Sequence, residues 1–174
     1  SRSGAKVTLI SGPTNLQPPS NIKFIKVKTA DEMLDSIKKV NKNIDVAIFS
    51  AAVADFKIKK KNSNKIKKNN FTTLQLKQNV DIIKTISMKK VNRPKYIVGF
   101  SAETEKKINA KKKLYEKNCN MIIYNQISDK NKVFGLNENK ISIITRDRIK
   151  NYAKTSKVKC AKYIVESIYR EIRE

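Results

Sequence analysis

The stretch Val46-Ala47-Ile48-Phe49-Ser50-Ala51-Ala52-Val53-Ala54-Asp55-Phe56 decides the fold, because an apolar run of strand length passes directly into alanines and a carboxylate. An apolar run without polar alternation predicts a parallel strand that is buried on both faces. In open α/β sheets, ligands bind outside the carboxyl ends of the strands. The basic segment that follows, ending in Lys65-Ile66-Lys67-Lys68, is suited to an anion. The same pattern also fits an ordinary strand–loop junction followed by a solvated run of charge.

The length of 174 residues suits one domain with a core of its own. No apolar run of about 18 residues occurs, so the sequence predicts no transmembrane helix. Ser1-Arg2-Ser3-Gly4-Ala5 lacks the apolar region of a secretory signal, and we expect a cytoplasmic protein without a membrane partner. The chain does not begin with methionine, as expected of a processed or partial chain.

The net charge of +24 is the strongest feature of the composition. A charge of this size is typical of proteins that bind nucleic acid or an anionic surface. The lysines, however, are spread along the whole chain with many asparagines, and no aromatic residues are interleaved with them in a stacking pattern. We therefore do not expect nucleic acid as a partner, whereas a small polyanion such as a nucleoside triphosphate fits the charge.

Histidine is absent from the chain, and the two cysteines, Cys119 and Cys160, lie in dissimilar contexts. This excludes zinc sites of the usual type and nucleophiles that are activated by histidine. We expect both thiols to be reduced. Any chemistry must therefore use lysines, carboxylates, amide groups and the backbone.

Strand and helix patterns alternate along the chain. Strands are predicted at residues 6–10, 21–27, 46–49, 71–77, 96–100, 121–124 and 140–145. Helices are predicted at 30–42 behind a Thr29/Glu32 capping box, from Val80 with Asn79 as its cap, over a basic segment that ends at Asn118, and from Thr155 or Ser156 onward. An apolar stripe in the last helix predicts core packing by Val158, Ala161, Ile164, Val165, Ile168 and Ile172.

This alternation predicts an α/β fold, namely a Rossmann-like three-layer domain with a mostly parallel sheet. No G-x-G-x-x-G motif is present to indicate a dinucleotide cofactor.

Four motifs occur in a fixed order, and they are Ala51–Phe56 (AAVADF), Lys65–Lys68 (KIKK), Val98–Thr104 (VGFSAET) and Lys113-Leu114-x-x-Lys117. Together with Gly4–Pro13 (GAKVTLISGP), they resemble the phosphopantothenoylcysteine synthetase family, the ligases of coenzyme A biosynthesis. The resemblance covers essentially the whole chain. It is to the synthetase half of the bacterial bifunctional flavoprotein, which also carries a decarboxylase.

The resemblance implies that the chain joins 4′-phosphopantothenate to cysteine, with CTP as co-substrate and Mg²⁺ accompanying the triphosphate. The substrate carboxylate would attack the α-phosphate to give an acyl-cytidylate and pyrophosphate, and the cysteine amine would then displace CMP. This chemistry needs cations to offset the charge of the phosphates rather than a histidine base. The resemblance also implies a homodimer, because the family's dimer places the flap segment of one subunit near the site of the other.

The resemblance assigns one catalytic residue, Lys65, as the flap lysine that approaches the phosphates. The nucleotide-binding residues that it implies are Phe49, Ser50, Ala51, Asp55, Lys65, Val80, Asp81, Ile82, Ile83, Phe100, Lys113 and Lys117. Ala52 would border the phosphopantothenate, and no metal ligand is implied at a named position. The structural alternatives at these positions are solvated lysines, a core phenylalanine at Phe100 and a helix-capping carboxylate at Asp81.

The family domain opens with a strand, a glycine-rich turn and an Asn-x-Ser-Ser-Gly loop, and no such unit precedes Ser1. We therefore expect residues 1–174 to form a single synthetase domain that lacks its first βα unit. An upstream decarboxylase domain, if one exists, would bind FMN and could enlarge the assembly. Two alternatives stay open: a basic Rossmann-like module that binds RNA or another polyanion, and a family member that binds CTP without completing ligation.

Overall fold

The computed structural model describes residues 1, 3–40, 43–59, 73–103, 108–127 and 136–173. The strands are β1 Thr8–Ser11, β2 Lys23–Lys26, β3 Val46–Phe49, β4 Phe56–Ile58, β5 Leu76–Gln78, β6 Tyr96–Glu103, β7 Met121–Gln126, β8 Glu138–Asn139, β9 Ile141–Ile144, β10 Ile149–Asn151 and β11 Thr155–Ser156. The helices are α1 Ala30–Val40, α2 Ile82–Ser87, α3 Ile108–Glu116 and α4 Lys157–Arg173. The chain divides into unit 1, with Ser1–Val40 and Ala51–Ile82, and unit 2, with Asn41–Ser50 and Ile83–Glu174. A single domain over 1–174 stays a prediction.

Unit 1 contains the parallel pair β1–β2 and the amphipathic helix α1, which buries Leu34. The predicted capping box is present with one change at the start of this helix. The Glu32 amide donates to Thr29 Oγ1 at 3.2 Å, as expected, but the Glu32 carboxylate accepts the amide of Lys28 at 2.8 Å. The Glu32 carboxylate therefore accepts from the residue before the predicted Thr29. Both hydrogen bonds still satisfy amides that have no partner within the helix.

Unit 1 also contains an antiparallel pair, β4–β5, in which Phe56 lies opposite Gln78 and Ile58 lies opposite Leu76. The sequence predicted a strand over residues 71–77, and the structure forms only Leu76–Gln78 from the end of that segment. Residues 71 and 72 lie outside the described residues. The three-residue strand β4 was not predicted, because it is too short to show an alternating pattern.

Unit 2 is built on a five-stranded sheet with the order β10-β9-β7-β6-β3. The strands β3, β6 and β7 run parallel, and α3 makes the crossover between β6 and β7, as expected of a βαβ unit. The strand β9 runs antiparallel to β7, and β10 runs antiparallel to β9 at the edge of the sheet. The predicted α/β class and the mostly parallel sheet are confirmed for the central strands, whereas β10 was not predicted.

Alternate side chains of β6 and β7 enter two separate apolar clusters, one on each face of the sheet. The cluster that includes helix α4 contains Tyr96, Val98, Met121, Ile123, Ile141, Ile143, Cys160, Ile164 and Ile168. The cluster that includes helix α3 contains Ile97, Ala110, Leu114, Cys119, Ile122, Tyr124 and Ile144. Unit 2 therefore has the predicted three layers, with helix, sheet and helix stacked on each other.

Gly99 in β6 lies where the side chains of Ile83 and Ile122 approach the backbone of the strand closely. A Cβ atom built on this residue would lie 2.8 Å from the Cδ1 atom of Ile122 and 2.9 Å from that of Ile83. Contacts this short are well inside ordinary van der Waals distance. The glycine therefore lets Ile83 pack directly against the face of the sheet.

The central prediction about β3 was partly wrong. The strand forms at Val46–Phe49, but it lies at the edge of the five-stranded sheet, and the side chain of Ile48 is 48% exposed. The strand is therefore not buried on both faces. An edge strand has a neighbour on one side only, and the apolar run alone does not reveal this.

The apolar stripe predicted for α4 was also partly wrong. The residues that face the core are Cys160, Ile164 and Ile168, spaced four apart. The other members of the stripe, Val158, Ala161, Val165 and Ile172, are exposed. The helix begins as predicted, with Ser156 Oγ accepting the amide of Lys159 at 3.3 Å.

A glycine-free C-cap ends α3. Asn118 has a φ of 44°, the amide of Asn118 donates to the Tyr115 carbonyl, and the amide of Cys119 donates to the Leu114 carbonyl. This pair of hydrogen bonds is the Schellman arrangement, in which asparagine takes the left-handed position usually held by glycine.

The side chain of Arg93 fixes that cap to the rest of unit 2. Its guanidinium donates to the carbonyls of Ser87 at 2.9 Å, Pro94 at 3.1 Å and Asn118 at 2.9 Å. Asn118 adds a second donor to the Ser87 carbonyl at 3.1 Å. Because these carbonyls belong to the end of α2, the approach to β6 and the end of α3, one side chain joins three segments.

Within the described residues, no helix is both long enough and apolar enough to cross a membrane.

The Leu114→Ala substitution should lower the free energy of unfolding by about 2–5 kcal/mol, because it empties a fully buried position under the sheet. Urea unfolding followed by circular dichroism measures this. Lys112→Ala on the same helix is the control, since Lys112 is exposed, and its effect should stay within about 0.5 kcal/mol. Equal effects of the two substitutions would contradict the packing described here.

The Arg93→Ala substitution should cost about 2–3 kcal/mol in the free energy of unfolding, because several carbonyls lose a charged donor. Arg146→Ala is the matched control, since Arg146 is exposed. The same urea unfolding measurement applies. A cost for Arg93→Ala no greater than that for Arg146→Ala would show that the cap of α3 does not depend on the guanidinium.

Candidate functional site

The predicted site residues of unit 1 lie on two segments that hydrogen bonds hold side by side. The first segment is 51–55, which follows β3, and the second is 79–81, which follows β5. The main-chain amide of Asn79 donates to the Asp55 carbonyl at 2.7 Å, and its side-chain Nδ2 donates to the Ala54 carbonyl at 2.7 Å. The structure therefore holds Ala54 and Asp55 beside Asn79 within unit 1, with Ala51 and Ala52 on the first segment and Val80 and Asp81 on the second.

The 51–55 segment is open to a ligand. Ala51, Ala52, Ala54 and Asp55 are exposed, and only Val53 is half-buried. Small side chains leave main-chain amides and carbonyls within reach of a bound molecule. Such a segment can recognise a nucleobase by its hydrogen-bonding edge without long side chains.

An ion pair supports the strand that follows this segment. Lys57 Nζ of β4 lies 2.6 Å from Oδ1 and 2.5 Å from Oδ2 of Asp31, in the first turn of α1. The pair joins β4 to the helix within unit 1. The charge of Lys57 is therefore paired with a carboxylate, and the many other lysines near it in sequence are not part of this ion pair.

The start of α2 differs from the prediction. The helix begins at Ile82, so Asp81 takes the position immediately before the first helical residue, and Asn79 lies two residues further out. Val80 is 45% exposed and Ile82 is 6% exposed. The side chain of Ile82 is therefore a packing residue, and its predicted contact with a nucleotide is limited to the main chain.

In unit 2, Phe49 and Ile83 pack against the same apolar cluster beneath the sheet, whereas Ser50 is exposed. Phe49 lies opposite Gly99 in the strand register, and Phe100 lies opposite Ile123. Phe100 was predicted to end its strand, but β6 continues to Glu103. The Phe100 ring is 36% exposed, so it is not a fully buried core residue.

Lys113 and Lys117 occupy successive turns at the end of α3, because the Lys117 amide donates to the Lys113 carbonyl at 3.0 Å. Both residues are half-buried. Lys112 differs from them, since it is exposed and forms an ion pair with Glu116 at 3.6 Å. Identical side chains in one helix therefore have different surroundings, as the spacing of four predicted.

The predicted catalytic residue, Lys65, lies outside the described residues, and its role stays a prediction. Arg93 and Asn79 are the residues whose importance the sequence did not reveal. Nothing in the sequence around Arg93 and Pro94 predicts the hydrogen bonds that the guanidinium makes. Asn79 was interpreted as a helix cap, and its real partners lie 25 residues earlier in the chain at Ala54.

The shifted pKa values in unit 2 belong to structural groups. Burial raises the pKa of the Cys160 thiol, which packs in the cluster beside α4, while Cys119 is buried in the opposite cluster. A buried thiol with a raised pKa stays protonated at neutral pH and is not a nucleophile. Asp45 immediately precedes β3 and Lys95 immediately precedes β6, and Lys95 Nζ lies 2.7 Å from Asp45 Oδ1. This hydrogen bond and the charge of Lys95 hold the pKa of Asp45 below its usual value.

A cavity of about 430 Å³ lies at the amino end of β6, among Lys95, Tyr96, Asn120, Thr145, Arg146, Asp147, Glu171 and Ile172. None of the predicted site residues is in this set. Burial raises the pKa of Tyr96 well above its usual value, so the phenol remains protonated. Parallel sheets bind ligands at the opposite, carboxyl edge, where β3 ends at Phe49. Lys113 and Lys117 do not lie there, because they are at the carboxyl end of α3, which leads into the amino end of β7.

Across the described ranges, no group of three or more cysteine and carboxylate side chains is arranged to hold a metal ion.

The chain matches a protein-family model over residues 1–172, and the family is described as the DNA/pantothenate metabolism flavoprotein C-terminal domain. The chain is 40% identical over 170 residues to the coenzyme A biosynthesis bifunctional protein CoaBC of Borreliella burgdorferi, covering 95% of this chain and 42% of that protein. It is 39% identical over 168 residues to the protein of the same name from Haemophilus influenzae, covering 95% of this chain and 41% of that protein. The chain spans about two fifths of the length of these curated relatives.

A solved structure is similar over almost the whole chain. The crystal structure of the C-terminal domain of the coenzyme A biosynthesis bifunctional protein CoaBC matches with a TM-score of 0.80 and 32% sequence identity. The match covers 99% of this chain and 77% of that chain.

Proposed function

The chain belongs to the family of the DNA/pantothenate metabolism flavoprotein C-terminal domain, and on that premise we propose that it is a phosphopantothenate–cysteine ligase of coenzyme A biosynthesis. The observation that carries this proposal is the similarity to CoaBC proteins over 95% of the chain. The family resemblance inferred from the motifs is thereby confirmed. The relatives are bifunctional and longer, so the ligase activity is assigned here to the part that this chain matches.

The proposed reaction has two steps. A carboxylate oxygen of 4′-phosphopantothenate attacks the α-phosphorus of CTP, and pyrophosphate leaves. The amine of cysteine then attacks the acyl carbon of the acyl-cytidylate, CMP leaves with the bonding electron pair, and the amine loses a proton. Both steps place negative charge on phosphate oxygens, which fixed cations and main-chain amides can stabilise without a histidine.

In unit 1, we assign the main chain from Ala51 to Asp55 to the nucleotide. Phe49 and Ser50, which are also assigned to the nucleotide, belong to unit 2. Ala52 borders phosphopantothenate in this assignment, and Val80, Asp81 and Ile82 contribute through their main chain. Support comes from the exposure of the 51–55 segment and from its hydrogen bonds to Asn79.

In unit 2, we assign Phe100 and Ile83 to the nucleotide site and Lys113 and Lys117 to the triphosphate. Their position one turn apart in α3 and the partial burial of both residues support this assignment. Lys65 is assigned to the phosphates as the catalytic residue. Mg²⁺ would be held mainly by phosphate oxygens, and no residue of this chain is assigned to FMN, which belongs to an upstream decarboxylase domain if one exists.

We also propose that the protein forms a homodimer. Support comes from the antiparallel pair β4–β5, where Phe56 is 59% exposed, Ile58 is 42% exposed and Leu76 is 55% exposed. These three side chains share one side of the pair, since Ile58 lies opposite Leu76 and Phe56 is two residues from Ile58. Exposed apolar patches of this kind are typical of surfaces that bind protein.

Calorimetric titration with CTP and, separately, with ATP tests the nucleotide site. The chain should bind CTP saturably and in clear preference to ATP, and the preference should persist at two salt concentrations. Weak binding that is indiscriminate between the nucleotides and falls steeply with salt would mean that only net charge is acting. The polyanion-binding alternative would then replace the ligase.

The Lys65→Ala substitution should reduce the rate of ligation by about 10²–10³, the range typical for loss of one group that stabilises transition-state charge. Lys61→Ala is the matched control, because it removes the same charge four residues away. Pyrophosphate release in the complete protein measures both variants. Equal effects would withdraw the catalytic assignment of Lys65 and leave the rest of the proposal standing.

A further inference from the structure

Asn79 connects the two segments of unit 1 on which predicted nucleotide residues lie. Its Nδ2 and its main-chain amide donate to consecutive carbonyls, those of Ala54 and Asp55, each at 2.7 Å. The next residues continue the contact as a strand pair, since Phe56 lies opposite Gln78. Asn79 therefore extends the strand pair and holds the end of segment 51–55 beside segment 79–81.

The hydrogen bonding of Asn79 is not the arrangement expected of a residue that serves stability alone. Its Oδ1 atom is buried and accepts no hydrogen bond from the part of the chain that the structure describes. A buried acceptor without a partner costs stability. The carbonyl that Nδ2 satisfies belongs to Ala54, an exposed residue where water could take the same place.

We propose that Asn79 is a positioning residue for the nucleotide, which it holds indirectly by fixing segment 51–55 in its binding geometry. This inference rests on the function proposed above. Ala51, Ala52 and Ala54 are exposed, so without the Nδ2 hydrogen bond part of this segment must be ordered when the ligand binds. That ordering weakens binding, whereas a segment fixed beforehand avoids the loss.

The Asn79→Ala substitution separates this role from a purely structural one. It removes the donor to Ala54 and the orphaned acceptor together, so the melting temperature should change by no more than about 2 °C. The dissociation constant and the KM for CTP should both rise by about five- to tenfold, the effect of one lost hydrogen bond, while kcat changes less. A lower melting temperature with unchanged affinity would overturn the proposal.

The Asn79→Asp substitution keeps the shape of the side chain but replaces the donor with a second oxygen facing the Ala54 carbonyl. Gln78→Glu is its matched control, because it adds the same charge at the neighbouring exposed residue. Asn79→Asp should weaken CTP binding at least as much as Asn79→Ala and more than Gln78→Glu. Wild-type affinity for CTP in both Asn79 variants would refute the positioning role and leave the ligase proposal intact. Failure of the unmodified chain to bind CTP would instead refute both the positioning role and the ligase proposal.

Discussion

The constraint on which unit 2 depends is that the adjacent strands β6 and β7 are covered on both faces. Ile97 and Val98 are both fully buried although they point to opposite sides of the sheet, and the same is true of Ile122 and Ile123. Two helices must therefore cover the sheet, which is why α3 and α4 lie on different faces. Each buried Å² of apolar surface contributes about 25 cal/mol, so this two-sided burial stabilises unit 2. Gly99 permits a close approach on one of the two faces.

The burial of β6 and β7 also determines which residues can carry chemistry. The strands are filled with apolar side chains, so polar groups are confined to their ends and to the segments that follow. In unit 2, Arg93 and the Schellman cap fix the end of α3 and hence the turn that carries Lys113 and Lys117. In unit 1, Asn79 does the same for segment 51–55 by hydrogen bonds to the main chain. Both units thus use one polar side chain to position a main-chain segment that is distant in sequence.

Sequence reasoning succeeded where the signal was local. The runs Tyr96–Phe100 and Met121–Tyr124 predicted β6 and β7 because nearly every residue in them is apolar, which only a doubly covered strand requires. It failed where the outcome depends on distant partners. The exposure of Ile48 follows from the edge position of β3, and the contacts of Arg93 and Asn79 join residues about 25 positions apart. In α4, Val158 and Val165 fit an apolar stripe, but the residues that face the core are Cys160, Ile164 and Ile168.

The excess of positive charge illustrates why composition alone does not identify the site. Lys57, Lys112 and Lys113 are the same residue type, yet Lys57 pairs with Asp31, Lys112 pairs with Glu116, and Lys113 is half-buried one turn before Lys117. A charge that is already paired or fully solvated gains little from a bound phosphate. For the proposed reaction, which uses no histidine, the surroundings of individual lysines therefore matter more than their number.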